Sequence, residues 1–258
     1  MKNSFLKDTA YSLLDLVTLK KGVPRKINNR IVRFPPRWSR YFPGDYEADN
    51  YSFLEQQVKP GMDIIDIGAH IGLFSVCTAQ LTGPKGNIIC FEPTPGTFSI
   101  LKETLRLNHC DNVTPVQAAV GATQGKTTFY ISNAMAGCNS NSLVLNKDKA
   151  KAEAYDVAIT TIDAVCADYN LNPGLIKVDV EGAELDTLKG GVGTMKTARP
   201  MFIVGLHPAF IKIKGDNLKQ IWDLIKEHRY KVICDKTEMK EADFINQTNL
   251  FDVQLIPQ

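Results

Sequence analysis

Long apolar runs are missing from this chain, and none approaches the roughly 20 residues that a helix needs to cross a bilayer. Paired CxxC spacing is missing too. The six cysteines, at 77, 90, 110, 138, 166 and 234, are scattered and several sit inside apolar stretches, which argues against a disulfide scaffold or clustered zinc site. They read as reduced core thiols of a cytoplasmic protein. No internal repeat or low-complexity tract interrupts the chain, and a net charge of +2 names no partner by itself. The opening "MKNSFLKDTAYSLLDLVTLKK" lacks the clean apolar stretch of a signal peptide, because Asp8 and Asp15 break it and no small-residue cleavage site follows. An amphipathic helix is the expectation there.

What remains is globular: 44% hydrophobic and 22% charged over 258 residues, enough for one α/β domain with a modest extension. From about residue 61 short β-branched runs alternate with helical periodicity. Strands are expected at "MDIIDI" (62–67), "NIICFE" (87–92), "VTPVQ" (113–117), "LIKVDV" (175–180) and "MFIVGL" (201–206). Helices are expected at 71–81, 95–107 and 216–229, the second with Thr94 as N-cap and Pro95 at its first position. "YKVICD" and "LFDVQLI" close the series as an antiparallel pair. Such alternation gives a mostly parallel, Rossmann-like sheet with helices on both faces. Residues 124–161 break the rhythm with two strand-like runs around a polar loop, an insertion suited to shaping a substrate pocket. The expected division is therefore an N-terminal helix and basic arm (1–50) ahead of the α/β domain (51–258).

"IIDIGAHIGLFS" (64–75) is a strand, a tight turn and a helix start, the arrangement that holds nucleotides in α/β proteins. The G-x-G-x-x-G fingerprint of dinucleotide sites is incomplete here, since His70 occupies its middle position. A pyrophosphate would also meet Asp66 at the strand end. S-adenosylmethionine (SAM) suits these residues better, because it carries a sulfonium and an ammonium against a single carboxylate. Glu92, ending the next strand in "CFEP", can accept hydrogen bonds from both ribose hydroxyls. Asp66, the turn of Gly68, Ala69, His70 and Gly72, and Glu92 form the candidate cofactor set. Gln117 and Ala118, after the third strand, are placed to meet the adenine. A nucleotide-binding oxidoreductase is the alternative, as is a SAM-binding protein without catalysis.

The densest chemistry lies in "LIKVDVEGAELDTLKGG" (175–191). An apolar strand delivers Asp179 to its carboxyl end, where open α/β sheets bind ligands, and Glu181 follows. The next strand delivers His207 in "FIVGLHP". Acid and imidazole from adjacent strand ends make a general-base pair or part of a cation site. Glu184 reads instead as one of the acids that a helix N-terminus favours.

In order and spacing, "VKPGMDIIDIGAHIGLFS", "CFEPTPGTFSILKETLRLN", "VQAAVG", "TTIDAV" and "IKVDVEGAELDTLKG" resemble the FkbM-type SAM-dependent methyltransferases, from about residue 45 to 210. The resemblance implies a class I methyltransferase fold and O-methylation of a sugar, glycan or natural-product hydroxyl. It implies that Asp66, Gly68 and Glu92 hold cofactor and that Asp179 and Glu181 line the reaction centre. Glu47, in "GDYEADN", would close over the methionine end of SAM. Two positions depart from the family pattern. His70 replaces an asparagine, and Gly205 stands where an acid two residues before the histidine is usual, which weakens any metal-site reading.

The implied reaction is in-line displacement by a substrate oxygen, with Asp179 or His207 as base and Glu181 orienting the hydroxyl. No N-P-P-Y-type motif and no Pro-Cys nucleophile is present, so a nucleic-acid substrate is not expected. No acidic residue lies between Asp15 and Asp45, while Lys20, Lys21, Arg25, Lys26, Arg30, Arg33, Arg37 and Arg40 all do. This arm is either a solvated face or a surface for an anionic acceptor or a membrane. The amphipathic helix ahead of it fits peripheral membrane contact or homo-oligomer packing.

Overall fold

The computed structural model describes residues 20–131 and 153–258. The expected N-terminal helix, Cys138 and most of the polar loop in the 124–161 insertion lie outside the described residues. The chain opens with a hairpin, β1 (Val23–Ile27) and β2 (Arg30–Phe34), followed by α1 (Ala48–Gln57). The α/β alternation runs β3 (Asp63–Ile67), α2 (Leu73–Thr82), β4 (Ile88–Phe91), α3 (Pro95–Leu107) and β5 (Val113–Val116). Three strands form a small separate sheet: β6 (Ala119–Val120), β7 (Gly125–Ile131) and β8 (Glu153–Thr160), in the order β6-β8-β7. Then come α4 (Ile162–Asp168), β9 (Pro173–Val178), α5 (Glu184–Lys189), α6 (Val192–Thr197) and β10 (Met201–Leu206). The chain ends with α7 (Pro208–Lys214), α8 (Leu218–Glu227), β11 (Tyr230–Cys234), β12 (Thr237–Glu238), α9 (Glu241–Ile245) and β13 (Phe251–Pro257).

The main sheet has the order β12-β11-β13-β10-β9-β3-β4-β5. Its centre is parallel, β10 on β9 on β3 on β4 on β5, and β13 runs antiparallel between β10 and β11. Five parallel strands and an antiparallel closing pair are the class I methyltransferase arrangement that the sequence implies. The order reverses between β3 and β9, so their carboxyl ends open a crevice, the usual ligand position in such sheets.

Period-2 alternation gives each central strand two buried faces. Ile65, Ile67, Ile176 and Val178 pack on one side with Leu185, Ile221 and Trp222, while Ile64 and Leu175 join Phe74, Val76 and Leu101 on the other. Helices cover both faces, so the strands read as near-continuous apolar runs. The amphipathic α8 starts at a capping box in which Asn217 and Gln220 satisfy each other's backbone N–H groups. Thr94 sits at the N-cap position of α3 without making the capping bond.

The arm is folded. Ile27, Val32, Phe34 and Phe42 are buried in the same cluster as Phe74 and Leu101, so its aromatic residues face inward. Asn108 grips the outer edge of β2, accepting from the Arg33 N–H at 2.8 Å and donating to its carbonyl at 2.7 Å. Residue 50 lies within α1, and the arm and the α/β unit share one core. Of the cysteines, Cys77, Cys90 and Cys110 are buried, Cys166 and Cys234 are partly buried, and these five are free. Among the described residues no helix is long and apolar enough to cross a membrane.

Candidate active site

A cavity of about 600 Å³ opens at the carboxyl ends of β3, β4, β9 and β10. Its wall on one side is the turn after β3. Gly68, at φ +82°, passes so close to the end of β9 that a Cβ would lie 1.9 Å from the Asp179 carbonyl oxygen. Only glycine fits there. Gly72, at φ +93°, is the N-cap of α2 and packs against Leu101 behind the cavity. His70 is left-handed at φ +51°, a conformation that asparagine tolerates best after glycine and that histidine also enters.

The turn is organised around Glu92. One carboxylate oxygen accepts from the His70 N–H at 3.2 Å and the other from the Thr94 N–H at 2.9 Å. Burial pushes this carboxyl up to about 7, against the pull of the Thr94 and His70 hydrogen bonds. The His70 ring lies 5.0 Å from that of Tyr41 in the N-terminal segment, tilted by 40°, and its Nε2 is buried without a hydrogen-bond partner among the described residues. Burial pulls its pKa down to about 4, so the ring is neutral.

The opposite side is made of side chains. Lys177, buried within β9, ion-pairs with Asp179 at 2.9 Å and lies 5.6 Å over the Phe74 ring. Burial alone would lower the lysine pKa, but Asp179, Asp66 and Glu47 hold it above the usual value. Burial likewise works against ionised Asp179, yet Lys177 and His207 keep its carboxyl below the ordinary range. Glu184 is fully buried; one of its oxygens takes the Gly182 N–H at 2.9 Å and bonds His207 Nδ1 at 2.8 Å. That leaves His207 Nε2 turned toward Asp179, 3.8 Å from its Oδ1. Burial would lower the His207 pKa, but Glu184, Asp179 and Glu181 together raise it above 6.5. Glu181 lines the cavity at φ +48° with one oxygen buried and without a hydrogen-bond partner among the described residues.

Glu47, Gly68, Ala69, His70, Glu92, Ala118, Asp179, Glu181 and His207, all singled out from the sequence, converge on this one cavity. Three others do not reach it. Asp66 was expected to face a cationic ligand, but it is fully buried behind the turn, where it accepts from the Ser75 hydroxyl and faces Lys177. Gln117 is exposed, and the neighbouring Ala118, Ala119 and Val120 form the wall in its place. Gly72 serves the packing of α2 on α3. Glu184 opens α5 as the helix-terminus acid it was read to be, and it is also the partner of His207.

The sequence model of the Methyltransferase FkbM domain matches residues 66–232. This chain belongs to the FkbM methyltransferase family. The methyltransferase sdnD of Sordaria araneosa is 30% identical over 210 residues, 70% of this chain and 78% of that protein. Methyltransferase 1 of Beauveria bassiana is 30% identical over 146 residues, 49% of this chain, and the match spans 57% of that relative's length. The hexuronic acid methyltransferase AglP of Haloferax volcanii is 24% identical over 202 residues, 77% of this chain and 75% of that protein.

The FkbM match begins at Asp66 and ends at Val232, so several lining residues fall outside it: Tyr41, Phe42, Tyr46, Glu47 and Tyr51 ahead of it, and Leu250 and Asp252 after it. Sequence reasoning missed Lys177 and Asp252. A lysine inside an apolar strand, two residues before an acid, was the available signal for the first. The second depends on strand pairing. Glu47, His70 and Glu181, all non-glycine, are left-handed. Among the described residues no three His, Cys, Asp or Glu side chains are grouped to hold a metal ion.

Proposed function

We propose that this chain is a SAM-dependent O-methyltransferase acting on a hydroxyl of a sugar, glycan or natural-product acceptor. The observation that carries the reading is the single cavity that joins Glu92 and the Gly68 turn to Asp179, Glu181 and His207. The residues fit SAM. Glu92 keeps acceptor lone pairs beyond its two backbone bonds, enough for a ribose diol, and the turn at Gly68 leaves backbone rather than side chain against the ligand. Glu47 lies on the Lys177 side, suited to the methionine end. When bound, SAM supplies a methyl group already activated on a sulfonium.

The chain's own residues then position the acceptor and take its proton. Of the two base candidates, Asp179 is tied to Lys177 and stays a weak base, whereas His207 is built for the role. Glu184 accepts from Nδ1–H, which fixes the tautomer and leaves Nε2 free to receive the hydroxyl proton. Glu181 orients the hydroxyl, and Tyr41, Phe42 and Tyr46 close one side against water. The methyltransferase family membership supports this chemistry, and the name of the hexuronic acid relative supports a sugar-type acceptor.

The charged hairpin supports a second element of the reading: recruitment of an acceptor bearing an anionic group. Its cations have no acidic residue in the same segment. Calorimetric titration with SAM and with NADH tests the core assignment. SAM uptake with no NADH uptake is expected, and NADH uptake without SAM uptake would return the chain to the oxidoreductase class.

A further inference from the structure

Gly205 and Asp252 are direct partners across the antiparallel pair of β10 and β13. A Cβ placed on Gly205 would lie 3.2 Å from Asp179 Oδ1 and 3.2 Å from Asp252 Oδ1. The missing side chain therefore leaves room for two carboxylate oxygens, brought by strands on either side of β10, to bracket one spot. Both residues line the cavity.

Asp252 is held there by a built device. Asn50, a buried residue of α1, donates to Asp252 Oδ2 at 2.8 Å and lies 3.4 Å from Glu47 Oε2. Its own carbonyl accepts from Gln254 at 3.0 Å, which fixes the orientation of the amide. One carboxylate oxygen of Asp252 is thereby pinned, while Oδ1 has no hydrogen-bond partner among the described residues. An ionised carboxylate only accepts hydrogen bonds, so what binds here must donate. An anionic group is disfavoured, because Glu47, Asp179 and Asp252 gather near Lys177, which is already paired with Asp179.

We infer that Asp252 is a specificity-determining residue that, with Asp179, receives neighbouring hydroxyls of a polyol acceptor in the cavity both acids line, the bare Gly205 between them letting the two carboxylates approach. This rests on the methyl-transfer reading above and adds a contact from outside the stretch that matches the family. Burial and the nearby Glu47 and Asp179 push the Asp252 carboxyl up to about 6, so it is ionised at neutral pH.

The test uses the full chain, radiolabelled SAM, and the methyl glycosides of glucose, mannose and fucose as probes. The wild type is expected to label at least one of them. In Asp252→Asn the KM for that sugar is expected to rise about tenfold or more, the size of losing a hydrogen bond to a charged group, while the SAM dissociation constant stays within twofold. Gly205→Ala keeps both acids but places a methyl in the bracketed spot, and the same split is expected. An unchanged sugar KM in both folded variants would overturn the inference. So would a tenfold loss of SAM affinity in Asp252→Asn, which would give the carboxylate to the cofactor's ammonium. Labelling of none of the three sugars by an enzyme that binds SAM would overturn the acceptor assignment alone. Failure of the wild type to bind SAM would overturn the cofactor reading beneath it.

Discussion

The two sides of the cavity are built by opposite means. On the Glu92 side, a carboxylate is held by backbone N–H groups from residues 70 and 94, and the shape comes from glycine at φ +82°. On the Asp179 side, nearly every contact is between side chains: Lys177 to Asp179, Glu184 to His207, Asn50 to Asp252. The first side therefore tolerates change in most side chains but not in the backbone path. The second has a fixed backbone and places its chemistry in exchangeable groups. Such a division suits an enzyme that keeps one cofactor and varies its acceptors.

The largest expected effect breaks the backbone side. Gly68→Ala would set a methyl 1.9 Å from the Asp179 carbonyl oxygen in a left-handed position. Backbone strain and overpacking each cost about 1–3 kcal/mol, and neither can relax, because the obstacle is main chain. A loss on the order of 4 kcal/mol in urea unfolding is expected, with SAM binding abolished. Gly72→Ala meets the end of the Leu101 side chain at 2.8 Å, which can move, so its loss should be clearly smaller. Equal losses would mean that the close approach at Gly68 is not what shapes the turn.

Next in size is the side-chain half. His207→Ala is expected to lower kcat by about 10²- to 10⁴-fold, the usual contribution of a positioned base. Glu184→Gln separates basicity from position. His207 takes a proton only when neutral, so kcat/KM climbs as pH rises through its pKa, which lies above 6.5 in the folded protein. Removing the Glu184 charge lowers that pKa, and the acid limb of the profile moves to lower pH. A limb that stays in place would transfer the base role to another group.

The same contrast governs what the sequence made legible. Asp66, Gly68, His70, Gly72 and Glu92 lie within 27 residues, and strand–turn–helix spacing locates such a site because backbone geometry is local. Even so, the side to which Asp66 points was not visible. A strand-end acid can face the cavity or the helix behind it, and Ser75 and Lys177 decide for the helix. Asp179 and His207 were legible as strand ends. Their connection was not, because Glu184 reaches His207 through the packing of α5 on β10. Asp252 was hidden more completely: only the register of β13 against β10 sets it beside Gly205. The basic arm shows the limit of charge counting, since the cations between Lys20 and Arg40 say nothing of Ile27, Val32 and Phe34, which the fold buries in the shared core.

Glu92→Gln probes the first half more gently. Loss of charge-assisted bonds to the ribose costs about 1.5–3 kcal/mol, so the SAM dissociation constant should rise about 10- to 100-fold. Burial raises this carboxyl to about 7 before ligand binds, so in the wild type SAM binding should weaken as pH falls below 7 and the carboxylate takes a proton. The glutamine variant should show no such slope. A wild-type affinity that is flat from pH 8 to pH 6 would remove Glu92 from the ribose.

The smallest effect belongs to the basic arm, residues 20–40, which lies outside both halves and acts on them only through its field. Lys21, Lys26 and Arg40 are exposed, so substituting them leaves the buried aromatic face intact. Exposed charges couple by about 0.2–1 kcal/mol and are screened over about 8 Å at physiological ionic strength. Replacing all three with glutamine should therefore raise the KM of a uronic acid glycoside by no more than about fivefold at low salt, and less at high salt. The KM of the matching neutral glycoside and the affinity for SAM should not move. Raising salt on the wild type should reproduce the effect of the triple variant on the charged substrate. If the charged and neutral glycosides respond alike, the arm is a solvated face, and discrimination among acceptors falls to the side-chain half of the cavity alone.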